Sequence, residues 1–270
     1  MSKTARFFEM KREGRPIAVL TAYDAPTAKA EAEAGVDILL VGDSVGMNML
    51  GYASEKEVTL ADICHHVRAV RRGAPEAAII GDLPYMTYET PDMALANARL
   101  VIEAGADIVK FEGPRADIVE TLVGASIDVC CHLGLEPQHH AEKRFKGRSA
   151  QEAEQLVQNA IRLDGAGMSM LVLELIPEEV AAATSQAIKA PTIGIGAGRK
   201  TDGQVLVICD VLGFTPANYR HNRRYQEVGG LMSAAAKAYV SDVRGKSFPG
   251  EANVLHMAKD ELEIFLKEKP

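Results

Sequence analysis

The chain has 270 residues, 47% of them hydrophobic and 25% charged, with a formal net charge of −7. That composition is ordinary for a globular protein and long enough to bury a sizeable core. The acidic balance argues against a nucleic-acid partner, because a phosphate backbone selects a basic surface.

The start of the chain, "MSKTARFFEMKREGRP", lacks the apolar stretch of a signal peptide. No apolar run approaches the roughly 18 residues of a membrane span. No membrane partner is expected, and a cytoplasmic location is. The four cysteines, Cys64, Cys130, Cys131 and Cys209, form no CxxC pair and fit no zinc spacing. They read as reduced thiols.

In chain order, residues 2–13 read as a helix. Eight short apolar runs follow, most of them ending in glycine or a polar residue: 17–24, 37–44, 77–84, 107–113, 128–135, 170–177, 191–198 and 205–210. They are rich in Val, Ile and Leu without alternation, as expected of strands buried on both faces of a parallel sheet. Helix signals lie between them. "PTAKAEAEAG" stops at Gly35, a C-cap residue. "TLADICHHVRAVRRG" opens on Thr59 as N-cap and ends in arginines. "TPDMALANARLVIEAG" has Thr90 then Pro91, the favoured order of cap and first helical residue. Ser149 with Glu152 three residues on predicts a capping box. Strand and helix alternating over this length predict a (β/α)8 TIM barrel, with a doubly wound open sheet as the rival.

The segment 2–13 would then close the barrel's bottom. After Asp210 the pattern turns to a polar loop and two helical stretches, near 226–243 and 256–268. The expected organisation is a single domain, with a barrel core over about 15–212 and a helical extension over about 213–270.

A barrel of this kind carries its active site at the carboxyl ends of the strands. Charged residues fall there repeatedly. Asp43 ends the second run, Asp82 ends the third in "IIGDLP", and Glu112 ends the fourth in "VKFEG". Glu174 stands late in the sixth. Each alone reads as a helix cap or loop ion pair. Together, three carboxylates at the ends of consecutive strands would repel unless something positive lay between them. A hard divalent cation such as Mg²⁺ suits an all-oxygen shell, which makes Asp43 a metal ligand or a ligand to a metal-bound water. Asp24, beside Tyr23, reads as structural.

Lys110 shares a strand face with Glu112 by the period-two rule. A buried lysine needs a partner, either a carboxylate of the protein or one of a substrate. Ser44 forms a turn or binds substrate. His132 is a structural hydrogen-bonder or a site residue. The glycines of "GIGAG" lack the GxGxxG order of a dinucleotide site and read as places of close approach. His65 and His66, mid-helix, read as surface or packing residues. Lys143, Arg144, Lys146 and Arg148 read as solvated loop charges, as do Arg220, Arg223 and Arg224, for which anion contact is the weaker option.

At these residues the chain resembles the ketopantoate hydroxymethyltransferase (3-methyl-2-oxobutanoate hydroxymethyltransferase) family. The segments that carry the likeness are "LTAYDAPTAKAEAEAGVDILLVGDSVGMNMLGY", "VTLADICHHVRAVRRGAP", "GDLPYMTYETPDMA", "VKFEG", "HLGLEPQ", "LVLELIP" and "IGIGAGRKTDGQVLV". The resemblance implies a barrel of the phosphoenolpyruvate mutase-like group and a homo-oligomer, often a decamer. It implies transfer of a hydroxymethyl group from 5,10-methylenetetrahydrofolate to 3-methyl-2-oxobutanoate through a metal-stabilised enolate. The product is 2-dehydropantoate, for pantothenate and coenzyme A biosynthesis. It further implies that Asp43 and Asp82 hold Mg²⁺ and that Glu112 belongs to the metal site. Ser44 and Lys110 would contact the substrate's carboxylate end, Glu174 would be the base, and His132 would lie in the site.

The chain departs from the family pattern at Cys131, at Glu136 and at Cys209, where Gly, Thr and His are usual, and in the shorter loop 139–148. These changes touch the pocket's rim and lid. They leave two further readings: a folate-independent, metal-dependent 2-oxo-acid aldolase, and a non-catalytic barrel used for binding or assembly.

Overall fold

The apolar runs become strands β1 (Ile17–Thr21), β2 (Ile38–Val41), β3 (Ala78–Asp82), β4 (Ile108–Glu112), β5 (Asp128–Gly134), β6 (Met170–Glu174), β7 (Thr192–Ile195) and β8 (Gly203–Leu206). Each pairs in parallel with its sequence neighbours, and β8 returns to β1 to close the barrel. The computed structural model describes residues 3–138, 145–215 and 219–267. The expected TIM-barrel architecture is therefore present, and the open sheet is not.

The helices are α1 (Ala5–Glu13), α2 (Ala25–Glu33), α3 (Leu60–Gly73), α4 (Pro91–Glu103), α5 (Ala116–Gly124), α6 (Ala150–Gly165) and α7 (Glu178–Ala187), and α2, α3, α4 and α6 begin where a side chain satisfies a free N–H group. Asp24 caps α2 through Thr27 N–H at 2.8 Å, which is the structural role expected of it. Thr59 and Asp62 cap α3 reciprocally, and Thr90 precedes Pro91 at the start of α4. Ser149 caps α6, but the Glu152 carboxylate accepts from Arg148 N–H rather than from the cap residue, so the expected box is shifted by one residue.

Two apolar layers result. Inside the barrel, Phe7 and Met10 of α1 meet Ile17, Val19, Ile38, Ile80, Ile108 and Met170, so α1 plugs the bottom. A second core lies between strands and helices. It includes Cys131, which points opposite to the inward Cys130 as strand alternation requires.

The eighth run needs correction. The strand spans 203–206, and "ICDV" turns into a short helix, α8 (Ile208–Val211). Gly203 fits because a Cβ there would lie 2.3 Å from the Ile17 carbonyl oxygen, where the barrel closes. Thr21 Oγ1 then accepts from Ile208 N–H at 3.0 Å and draws the chain out of the sheet. The last helices, α9 (Val228–Arg244) and α10 (Lys259–Lys267), bury none of their residues in the single chain. No helix is long and apolar enough to cross a membrane.

Candidate active site

The carboxyl ends of the strands open into a cavity of about 410 Å³. Its walls include every residue singled out from the sequence: Asp43, Ser44, Asp82, Lys110, Glu112, His132 and Glu174. β-Strand alternation does the gathering. Ile108 points into the barrel below the site, so Lys110 and Glu112 on the same strand point inward above it. Asp43 arrives differently, from the loop after β2, where its backbone N–H donates to Asp82 Oδ2 at 3.1 Å.

Lys110 is the positive centre. Its Nζ donates to both oxygens of Asp82, at 2.8 and 3.0 Å, and the pair is almost fully buried. Burial opposes a charged lysine, but Asp82, Asp43 and Glu112 together hold Lys110 well above its usual value. Burial first, and the Asp82 charge next, push the Asp43 carboxyl up to about 7. Glu112 shifts the other way: burial would raise it, but its contacts to His132 prevail and hold it below the usual range.

His132 lies between two carboxylates. Nδ1 is 3.4 Å from Glu112 Oε1 and Nε2 is 3.1 Å from Glu174 Oε2. Neither contact has the alignment of a hydrogen bond, so the attraction is between charges. Burial would lower the imidazole, yet the two carboxylates raise it to about 9, which makes it an imidazolium at neutral pH.

Ser44 is half-buried, and its Oγ is 2.8 Å from the Tyr23 hydroxyl. His66 in turn contacts the Tyr23 carbonyl oxygen through Nδ1 at 2.6 Å. His66 is therefore a packing residue that fixes the ring supporting Ser44.

Asp43, Asp82 and Glu112 share one pocket, but among the described residues no three Asp, Glu, His or Cys side chains close tightly enough to cage an ion unaided. The donor chemistry fits a looser site. Mg²⁺ is commonly held by one or two carboxylates, with waters and substrate oxygens completing the shell. Asp43 Oδ1 accepts no hydrogen bond among the described residues, while Oδ2 accepts one from Gln138. Six acidic residues line the cavity, Glu55 and Asp210 among them, against two side-chain cations, Lys110 and His132, which leaves an excess of acidic groups for a cation to balance.

A search for charge at strand ends overlooks the uncharged residues that complete the site. Gln138, from "LEPQ", is fully buried and binds both Asp43 and Glu112. Tyr23 and Tyr88 are buried phenols behind the charged groups. Only a Gln placed after a strand-end Pro hinted at the first. The cavity is also lined by apolar side chains, Leu40, Val172, Ile195 and Val205. Tyr219 and His221, stacked with centroids 5.6 Å apart, line the cavity from the polar loop after α8.

The glycines of "GIGAG" meet protein groups. A Cβ on Gly196 would lie 2.5 Å from Leu175 Cδ2, and one on Gly194 would lie 2.7 Å from Thr201 Oγ1. Of the basic loop residues, Lys146 faces Glu136 at 3.5 Å, so it is paired rather than simply solvated. Arg224 bonds the Thr215 carbonyl and Glu227. Lys143, Arg144 and the rest of 139–144 lie outside the described residues, as does most of the shortened loop.

Comparison with known proteins agrees with this architecture. Solved structures of phosphonopyruvate hydrolase in complex with oxalate and Mg²⁺ (TM-score 0.62, 11% identity, 99% of this chain and 96% of that one) and of 2,3-dimethylmalate lyase, a PEP mutase/isocitrate lyase superfamily member (0.60, 14%, 100% of both), share its fold. The 3-methyl-2-oxobutanoate hydroxymethyltransferase of Roseiflexus sp. (strain RS-1) is 46% identical over 269 residues, covering 96% of each chain. That of Edwardsiella ictaluri (strain 93-146) is 42% identical over 252 residues, covering 91% of this chain and 96% of the relative. The family model for ketopantoate hydroxymethyltransferase matches residues 2–251, and the chain belongs to that family.

Proposed function

We propose that this chain transfers a hydroxymethyl group from 5,10-methylenetetrahydrofolate to 3-methyl-2-oxobutanoate, giving 2-dehydropantoate for pantothenate and coenzyme A biosynthesis. The observation that carries the reading is one cavity that combines charged and apolar lining: Lys110, Ser44 and the carboxylates together with Leu40, Val172, Ile195 and Val205. A branched 2-oxo acid has the matching shape: an anionic, chelating head and an isopropyl tail.

Asp43 and Asp82 are the residues we assign to hold Mg²⁺, with Glu112 behind them. Mg²⁺, when bound, draws electron density from the keto group and so acidifies the neighbouring carbon. Glu174 takes the C3 proton, and His132 keeps a positive charge 3.1 Å from its carboxylate. Lys110 offsets the substrate's carboxylate charge. Ser44, held by Tyr23, offers a hydroxyl to the same end. The apolar side chains grip the isopropyl group and exclude water from C3. The resulting enolate attacks the one-carbon unit of the folate, water supplies the hydroxyl, and the carbon–nitrogen bonds to the folate break so that tetrahydrofolate leaves.

A single barrel domain with a C-terminal helical extension carries this chemistry, in the cytoplasm. The exposed Leu231, Met232, Tyr239, Val240 and Leu255 of that extension support a homo-oligomer, since a lone chain rarely leaves so much apolar surface to water.

The test is hydrogen–deuterium exchange at C3 of 3-methyl-2-oxobutanoate, followed by NMR with Mg²⁺, with and without folate, alongside an assay for dehydropantoate. Exchange together with dehydropantoate formation in the presence of the folate is the expected result. Exchange with no product from the folate would point to an aldolase using a free aldehyde. No exchange at all would leave a binding barrel.

A further inference from the structure

Gln138 stands where two carboxylates of the site could both reach the same cation. It is fully buried in the turn after β5, and its hydrogen-bonding capacity is used in full view of the site. Its backbone N–H donates to Glu112 Oε2 at 3.0 Å. Its side-chain Nε2 donates to Asp43 Oδ2 at 2.8 Å and to the Leu83 carbonyl oxygen at 3.3 Å. Its Oε1 accepts from the Tyr88 hydroxyl in a short hydrogen bond.

The Tyr88 bond decides which way round the amide sits. A primary amide has two donors on one end and an acceptor on the other, and the two ends have nearly the same shape. Reversed, Gln138 would turn its oxygen toward Asp43 Oδ2 and the Leu83 carbonyl, three acceptors facing one another. A phenol that donates to Oε1 removes that alternative. Tyr88 itself is buried, and burial raises its hydroxyl far above the usual phenol value, so it stays a donor.

The oxygens can then be counted. Asp43 has Oδ2 engaged and Oδ1 without a hydrogen bond among the described residues. Glu112 has Oε2 engaged by Gln138 and Oε1 facing His132 at 3.4 Å. Both oxygens of Asp82 accept from Lys110, and Oδ2 also accepts from Asp43 N–H. Asp43 Oδ1 and Glu112 Oε1 are thus the oxygens of the three carboxylates without a hydrogen bond among the described residues, and Glu112 Oε1 faces the His132 ring.

We propose that Gln138, oriented by Tyr88, is a positioning residue of the metal site: it holds Asp43 through Oδ2 so that Oδ1 is presented to the cation, and its backbone N–H tethers Glu112 beside it. The inference rests on the reading that Asp43 and Asp82 bind a divalent cation, and it assigns work to two residues that this reading leaves idle. Its consequence is a site poor in protein ligands, which binds metal weakly alone and more tightly once a 2-oxo acid adds its oxygens.

The experiment measures Mn²⁺ binding by electron paramagnetic resonance on the full chain, with and without 3-methyl-2-oxobutanoate, and needs no turnover. Gln138→Met keeps the length and removes both side-chain donors; affinity should fall about 10- to 100-fold, the usual effect of losing a group that orients a metal ligand. Tyr88→Phe removes one hydroxyl and should cost about fivefold, the worth of one hydrogen bond. Glu112→Gln should weaken binding less than Asp43→Asn does. The KM for folate should stay within twofold of wild type in Tyr88→Phe, which a general loosening of the pocket would not allow.

Should Gln138→Met fail to fold, Tyr88→Phe decides. Mn²⁺ affinity within twofold of wild type in the folded variants overturns the positioning role while the metal reading stands. Wild-type protein that binds no Mn²⁺, with or without the oxo acid, overturns the metal reading itself.

Discussion

The imidazole of His132 places Nε2 3.1 Å from Glu174 Oε2 and Nδ1 3.4 Å from Glu112 Oε1. One ring thus joins the carboxylate assigned to take a proton and the carboxylate behind the metal ligands. Its charge stems from those neighbours, which raise it to about 9 against the cost of burial. Replacing it with His132→Gln leaves two carboxylates facing each other with no cation between them. C3 exchange should slow by about 100-fold, within the usual range for a positioned acid–base group. An exchange rate within threefold of wild type, measured by proton NMR, would remove His132 from the mechanism.

Lys110 and Asp82 form a buried pair at 2.8 Å. Truncating one partner strands the other's charge in a low dielectric, so Lys110→Met should cost about 3–5 kcal/mol of stability. Adding Asp82→Asn to it should recover part of that loss, because the stranded carboxylate is gone. Urea unfolding of the two single variants and the double variant gives the coupling energy. Strict additivity would mean that the ion pair contributes nothing to the fold.

Gly134 ends β5 with φ +110°, and a Cβ there would lie 2.2 Å from the Glu174 carbonyl oxygen. That oxygen accepts from Leu135 N–H at 2.9 Å, a bond that ties the ends of β5 and β6 together. Gly134→Ala must therefore displace the backbone carrying Glu174. We expect a loss of at least about 1–3 kcal/mol from backbone strain and a steep fall in C3 exchange. Gly124, at the end of α5 with nothing within 4 Å of an added Cβ, is the control. Gly124→Ala should be neutral or stabilise by up to about 1 kcal/mol. Equal melting temperatures for the two variants would refute the close-packing argument.

Glu31 is a carboxylate on α2, buried, with neither oxygen hydrogen-bonded. Burial first, then the charge of Asp24, raise it from 4.5 to about 8. The folded chain therefore holds a proton that the unfolded chain releases. Stability is full below about pH 4.5, falls as pH rises toward 8, and levels off above that. Glu31→Gln cannot ionise, so its advantage over wild type should be near zero at pH 4.5 and reach a few kcal/mol by pH 9. Urea midpoints across that range test it; a difference that does not change with pH would contradict the assignment.

Much of this molecule could be read from the chain. Unbroken runs such as "DILLVGD" announced strands buried on both faces, and Thr59, Thr90 and Ser149 marked helix starts, because these signals are local: they depend on the residue and its near neighbours. Period-two alternation and the rule that barrels act at their strand ends also placed Lys110, Glu112 and the aspartates in one site. The eighth strand was misread by two residues at its start and four at its end, since "VLVICD" is equally apolar as strand or as buried helix, and only the Thr21–Ile208 bond and the closure at Gly203 choose between them.

What the sequence could not decide was partnership. Asp43 and Gln138 are 95 residues apart, and Tyr88 and Gln138 are 50 apart. Nothing local in "GDS", "MTYE" or "LEPQ" says that these three side chains share hydrogen bonds. The charge on His132 likewise depends on Glu112 and Glu174 approaching from two different strands. Chemical identity and strand periodicity are written along the chain, whereas the loading of each carboxylate oxygen is set by distance and burial, and those exist only once the barrel has closed.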